Sequence, residues 1–179
     1  MRFLALALLT GCAPIAATTS MERVSTLSEV TSSCGPLGWP VEAEVSSGFG
    51  TRDGKPHLGI DLVVPEGVPV LAACDGVVRY AGETLRGYGR TVLVEHEGGL
   101  VTAYAHNRRL LVRVGEQVTR GQTLALSGQT GRVTAPHVHF EVRTGGPSGP
   151  TGMPGLSGIP GRAVDPLPRM GSRLHLTVR

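Results

Sequence analysis

Arg90-Thr91-Val92-Leu93-Val94-Glu95 and Leu100-Val101-Thr102-Ala103-Tyr104-Ala105 stand on either side of Gly98-Gly99. Both arms alternate along a two-residue period, which is the pattern of a strand with one buried face. Paired glycines between two such arms make a hairpin turn, because glycine takes positive φ without steric cost. Further short Val-, Leu- and Tyr-rich runs, punctuated by Gly, lie at 41–46, 60–64, 68–73, 76–81, 122–127 and 137–143. Strands at this spacing, with no long helical pattern between them, predict an all-β domain.

Composition supports this and excludes other classes. Of 179 residues, 26 are Gly and 13 are Pro. Both are poor in helix interiors, so a helix bundle is excluded. The net charge is +3, and the positive side is Arg apart from Lys55. No basic block exceeds Arg108-Arg109, and aromatic residues make up only 4%. The chain therefore has neither the basic stripe nor the stacking platform of a nucleic-acid binder.

The N-terminus reads as an address. Met1-Arg2 is followed by apolar Phe3 to Leu9 and then Leu9-Thr10-Gly11-Cys12. The apolar run is far short of the roughly 20 residues that span a bilayer, and suits the core of a secretory signal. The last four residues resemble a bacterial lipoprotein signal. That resemblance implies removal of residues 1–11 and acylation of Cys12. The chain would then sit in the cell envelope, held to a membrane by its N-terminal lipid. That is the periplasmic side of the outer membrane in a Gram-negative cell and the outer face of the plasma membrane otherwise. Residues 12–38, rich in Ala, Ser and Thr up to 33, read as a flexible tether. In an oxidising compartment Cys34 and Cys74 are left as an even pair. They form a disulfide, or Cys74 is a small buried hydrophobe in its apolar run; the sequence leaves both open.

Two histidine clusters carry the chemistry. One is His57-Leu58-Gly59-Ile60-Asp61, and the other is His137-Val138-His139-Phe140-Glu141. Side chains alternate along a strand, so His137 and His139 share a face. Two adjacent imidazoles are costly to bury without partners. Imidazole nitrogens together with a carboxylate oxygen suit Zn²⁺, and three protein ligands leave a position open for water.

The stretch from Trp39 to Pro168 resembles the lysostaphin-type (LytM-like) zinc endopeptidases, which cut peptidoglycan peptides. The likeness rests on Ser47-Gly48-Phe49-Gly50-Thr51-Arg52, the two clusters above, Gly87-Tyr88-Gly89, Tyr104-Ala105-His106, Gly128-Gln129-Thr130-Gly131 and Asp165-Pro166. It implies antiparallel sheets in a sandwich or barrel-like arrangement, with long loops around a zinc cleft. By the same resemblance His57, Asp61 and His139 bind one zinc ion, while His106 and His137 form the catalytic pair. His106 is expected just after a strand, approaching from another side than His137. Which of the two takes the proton stays open. Arg52 is a candidate contact for a substrate carboxylate. Asn107 and Ala135 stand where the family more often has an apolar residue and Gly.

The domain reading is a signal at 1–11, a tether at 12–38, a peptidase domain at 39–168 and an extension at 169–179. Within the domain, Gly recurs every third residue from 146 to 161. This is the collagen period, read in so short a run as an extended polyproline-like loop that adds almost no apolar surface. Val114–Gly121 also resembles the turn of biotinyl or lipoyl carriers, but the sole lysine, Lys55, is in the wrong place for one. Two functions follow: a monomeric zinc endopeptidase acting on peptidoglycan peptides, or a non-catalytic cell-wall scaffold or activator of a murein amidase.

Overall fold

The computed structural model describes residues 34–52, 54–146 and 158–173. The signal, Cys12, the tether up to residue 33 and the Gly-X-Y residues 147–157 lie outside the described residues.

Thirteen strands are described: β1 (Val45–Ser47), β2 (Gly50–Arg52), β3 (Lys55–His57), β4 (Ile60–Val63), β5 (Pro69–Leu71), β6 (Gly76–Gly82), β7 (Arg90–Glu95), β8 (Val101–Asn107), β9 (Arg109–Leu110), β10 (Gln117–Val118), β11 (Thr123–Leu126), β12 (His137–Thr144) and β13 (Arg162–Val164). The main sheet runs β1-β4-β12-β8-β7-β6-β10, with β13 added to the far end of β12. A three-stranded sheet, β5-β11-β9, and the β2-β3 hairpin complete the fold. The ladders between these strands are antiparallel. The fold is therefore all-β, as expected, and the alternating arms around Gly98-Gly99 are the paired strands β7 and β8.

Alternation sorts the two faces of the main sheet. Val138, Phe140 and Val142 of β12 join Ile60, Leu62, Val92, Val94 and Tyr104 in the larger core, where each is buried. Tyr104 packs on Phe140 with ring centroids 5.4 Å apart. Its hydroxyl accepts the Ala73 N–H at 2.8 Å, which ties the main sheet to the β5 edge. Burial pushes the Tyr104 phenol up to about 12, against the hydrogen bonds it accepts from Ala73 and Thr102, which pull it down. Cys34 and Cys74 are joined by a disulfide, Cα atoms 5.5 Å apart, which pins the first described residue to this core.

On the other face Leu93, Val101 and Ala103 form a smaller core with Leu85 and Ile159. Ile159 is fully buried. The expectation that residues 146–161 add almost no apolar surface is thus corrected at their C-terminal end. One isoleucine there closes the second core, and Arg143 holds the adjacent carbonyls of Pro160 and Gly161 at 3.0–3.2 Å. Ile159→Ala is expected to lower unfolding stability by about 2–5 kcal/mol, the usual cost of a truncated core aliphatic. Denaturant unfolding measures this, and a loss within experimental error would contradict the packing.

Candidate active site

The smaller-core face of the main sheet continues into a cleft. His139 of β12 stands directly opposite Asp61 of β4 and Ala105 of β8. Cross-strand partners on one face hold their side chains together. His57 is the last residue of β3, and the turn Leu58-Gly59 leads straight into β4.

His57 Nε2, Asp61 Oδ1 and His139 Nδ1 lie 2.8–3.2 Å from one another, and all three residues are buried. The outer ring nitrogens are occupied. His57 Nδ1–H donates to the Gly48 carbonyl at 2.6 Å, and His139 Nε2–H donates to Glu141 Oε1 at 3.1 Å. Those acceptors fix each tautomer, so each neutral ring turns a lone pair inward. With both rings neutral, two nitrogen lone pairs and a carboxylate oxygen converge on one point, an arrangement that a cation, metal ion or proton, relieves. The set is compatible with zinc: two imidazoles, one carboxylate and room for a fourth ligand.

A proton is the competitor for that cation. Burial alone would lower the His139 pKa, but hydrogen bonds to Asp61 and Glu141, and their charges, outweigh it and raise the ring to about 9. Burial works against ionising Asp61 too, yet the His139 hydrogen bond and the neighbouring histidine charges hold its carboxyl well below the usual range. Metal uptake must therefore expel the His139 proton. Apparent zinc affinity is expected to rise with pH by up to about tenfold per unit below about pH 9. Zinc titrations at several pH values check this; an affinity independent of pH would refute the competition.

The two-residue period of β12 puts Glu141 on the face of His137 and His139, a placement legible in the sequence, and the structure gives it a role there. It is buried, accepts from His139, from the Tyr88 hydroxyl at 2.6 Å and from Arg143 Nη1 at 2.7 Å. Burial opposes its charge, but these three partners hold its pKa down. A carboxylate behind a ligand imidazole fixes the ring and raises its basicity. Glu141→Gln is expected to weaken zinc binding by about 10–100-fold while the fold persists. Competition against a chelator measures the change, and unaltered affinity would remove Glu141 from the site.

His106 reaches the cleft by a route that the sequence does not announce. Ala105 and His106 together oppose the single residue Thr91, a bulge between β7 and β8. By simple alternation His106 would face the larger core with Tyr104. Instead it takes φ 65°, the only left-handed non-glycine among the described residues. A bulge re-aims a side chain in this way. The expected position just after a strand is corrected: His106 lies inside β8. Its N–H donates to the Tyr88 carbonyl at 2.9 Å, and its Nδ1–H to the Thr130 carbonyl at 2.8 Å. Asn107 pins the bulge by donating to the carbonyls of Tyr104 and Arg90 at 2.8 and 2.9 Å. Burial, only partly offset by the Thr130 hydrogen bond and reinforced by the His139 and His137 charges, pulls His106 down to about 4. His137 donates Nδ1–H to the Ala135 carbonyl at 2.9 Å, and its ring centroid is 4.8 Å from that of His106. Each of these histidines thus keeps Nε2 as the available lone pair.

Arg52 is not the free guanidinium that a substrate contact suggests. Its Nη1 donates to Asp61 Oδ2 at 2.8 Å, which turns Oδ1 toward the two histidines. Cys34, Cys74 and His96 also cluster. Their sulfurs are bonded to each other, and both His96 nitrogens are hydrogen bonded, to the Asp75 carbonyl and the Thr102 hydroxyl.

An all-β cleft with two imidazoles and a carboxylate converging, and two further histidines beside them, has the layout of a mononuclear metallopeptidase domain. Residues 55–150, more than half of the chain, match the model of Peptidase family M23, and the chain belongs to that family. The catalytic domain of the antimicrobial peptidase lysostaphin from Staphylococcus simulans is similar in structure: TM-score 0.61, 30% identity, with 70% of this chain and 90% of that one covered. By sequence the chain is 46% identical over 112 residues to a lipoprotein NlpD/LppB homolog of Pseudomonas aeruginosa, covering 63% of this chain and 37% of that protein. It is 41% identical over 110 residues to the murein hydrolase activator NlpD of Escherichia coli, covering 62% and 28%. The match thus spans well under half the length of either relative.

Proposed function

We propose that the chain is a zinc-dependent endopeptidase of peptidoglycan stem or cross-bridge peptides. The observation that supports this most is the convergence of His57 Nε2, Asp61 Oδ1 and His139 Nδ1 within 3.2 Å of one another, beside two histidines with available Nε2 atoms. Zinc bound by those three residues would supply Lewis acidity toward a peptide carbonyl and lower the pKa of water. The chain's own part is proton transfer. His106, neutral down to about pH 4 and steadied by Thr130, can take a proton at Nε2 and return it to the leaving amine. His137, which lines the same cleft, can do the same from its own strand. Wall location, anchoring through Cys12 and a monomeric state complete the proposal; the lipoprotein relative supports the anchor.

A second reading has its own support. The relative from Escherichia coli bears the name of a murein hydrolase activator, and sequence similarity sides with that reading more than with hydrolysis. In it the domain is a non-catalytic scaffold or activator of a murein amidase. Incubation of the full chain in detergent with purified sacculi, with zinc or with chelator, separates the two. Zinc-dependent release of peptide fragments, identified by mass, is expected. No release by the zinc-loaded chain, together with stimulation of an added amidase, would overturn hydrolysis in favour of activation.

A further inference from the structure

We propose that Arg86 and Arg132 form a carboxylate-binding subsite beside the metal triad, so that the cleft selects peptides bearing free carboxylates over neutral ones. The inference rests on reading the cleft as a peptide site and names the class of peptide.

The cleft has a volume of about 710 Å³, and its lining includes three arginines and two acids. The acids, Asp61 and Glu141, are both already engaged: Asp61 with His57, His139 and Arg52, Glu141 with His139, Tyr88 and Arg143. Arg52 is thereby neutralised. Arg86 and Arg132 remain exposed, and among the described residues neither guanidinium has an ion pair or a hydrogen bond. They are not on independent loops. The Arg132 N–H donates to the Gly87 carbonyl at 2.9 Å, and a Cβ on Gly131 would stand 2.5–2.9 Å from backbone atoms of Gly87 and Gly89. The loops at 85–89 and 130–136 therefore make one wall, further joined by His106 bonding to Tyr88 and Thr130. That wall presents two positive charges, unpaired among the described residues, to the cleft that the triad also lines.

Like charges collected along a cleft wall attract an anion of opposite sign. The guanidinium fork matches a carboxylate in two parallel hydrogen bonds, which an amide cannot reproduce. A stem peptide with free side-chain or terminal carboxylates satisfies both arginines. A neutral glycine bridge leaves them unpaired.

The test is binding by the zinc-loaded full chain, read by calorimetry, of three synthetic probes: a peptide with two free carboxylates, the same peptide amidated, and a glycine-only amide. The acidic peptide is expected to bind at least about tenfold tighter than its amidated form, as charged hydrogen bonds provide. Raised salt should shrink that advantage. Arg86→Ala and Arg132→Ala should each remove about tenfold from the acidic peptide alone, with zinc content unchanged. Arg132→Lys should restore only part, since it keeps the charge and loses the fork. Equal affinity for the acidic and amidated peptides, or arginine variants that bind the acidic one undiminished, overturns the subsite and leaves the peptide-site reading standing. Failure to bind any of the three overturns both.

Discussion

His139→Ala loses its zinc and its hydrolytic activity together, whereas His106→Ala keeps nearly one zinc per chain and loses turnover by roughly 10²–10⁴-fold. These are the results expected from the division of the five residues into two roles. His139 supplies one of three inward-facing donor atoms, and its removal leaves a carboxylate and a single imidazole. His106 lies beside that set, its ring 5.9 Å from His139 between centroids, and contributes no atom to it. Asp61→Asn falls between them, because an amide oxygen still coordinates but brings no charge. Metal content per chain beside hydrolysis rate distinguishes the cases. If His106→Ala loses its metal as His139→Ala does, the division into ligands and proton carriers fails.

Gly59→Ala should unfold or rearrange the site outright. A Cβ at Gly59 would stand 2.2 Å from the Phe140 carbonyl oxygen and 2.9 Å from its carbon. The obstacle is backbone of β12, which is hydrogen bonded to β4 and β8 and cannot give way as a side-chain tip can. Relief requires β4 to move off β12, and Asp61, two residues on, moves with it. The expected cost is about 3 kcal/mol or more, at the upper end for overpacking. Zinc binding should go with it. Unfolding measured in chelator isolates the packing effect from the metal's own stabilisation. Stability close to the parent's would show that the strands are not in this close contact.

How much of this was legible beforehand differs from residue to residue. The strands near 60–63, 76–82, 90–95 and 137–144 followed from short apolar runs and glycine punctuation, although those at 90–95 and 137–144 prove buried on both faces. The pairing of His139 with Glu141 was equally open to the two-residue period. His106 was not. Its direction depends on a bulge held by Tyr88, Thr130 and Asn107, partners that local pattern does not bring together. Arg52 looked free because Asp61, nine residues on, becomes its partner only when β1 and β4 pair and the β2-β3 hairpin folds back. Ile159 was hidden by its own surroundings, since the Gly-X-Y period suggested a loop with nothing to bury.

The most direct test of the account is X-ray absorption at the zinc edge of the zinc-loaded full chain. A first shell of nitrogen and oxygen alone at about 2.0–2.1 Å, with the signature of two imidazoles, is predicted, and it should be the same in His106→Ala. A sulfur shell at about 2.3 Å, which would put the metal at the Cys34–Cys74 pair, or a shell that changes when His106 is removed, would contradict it.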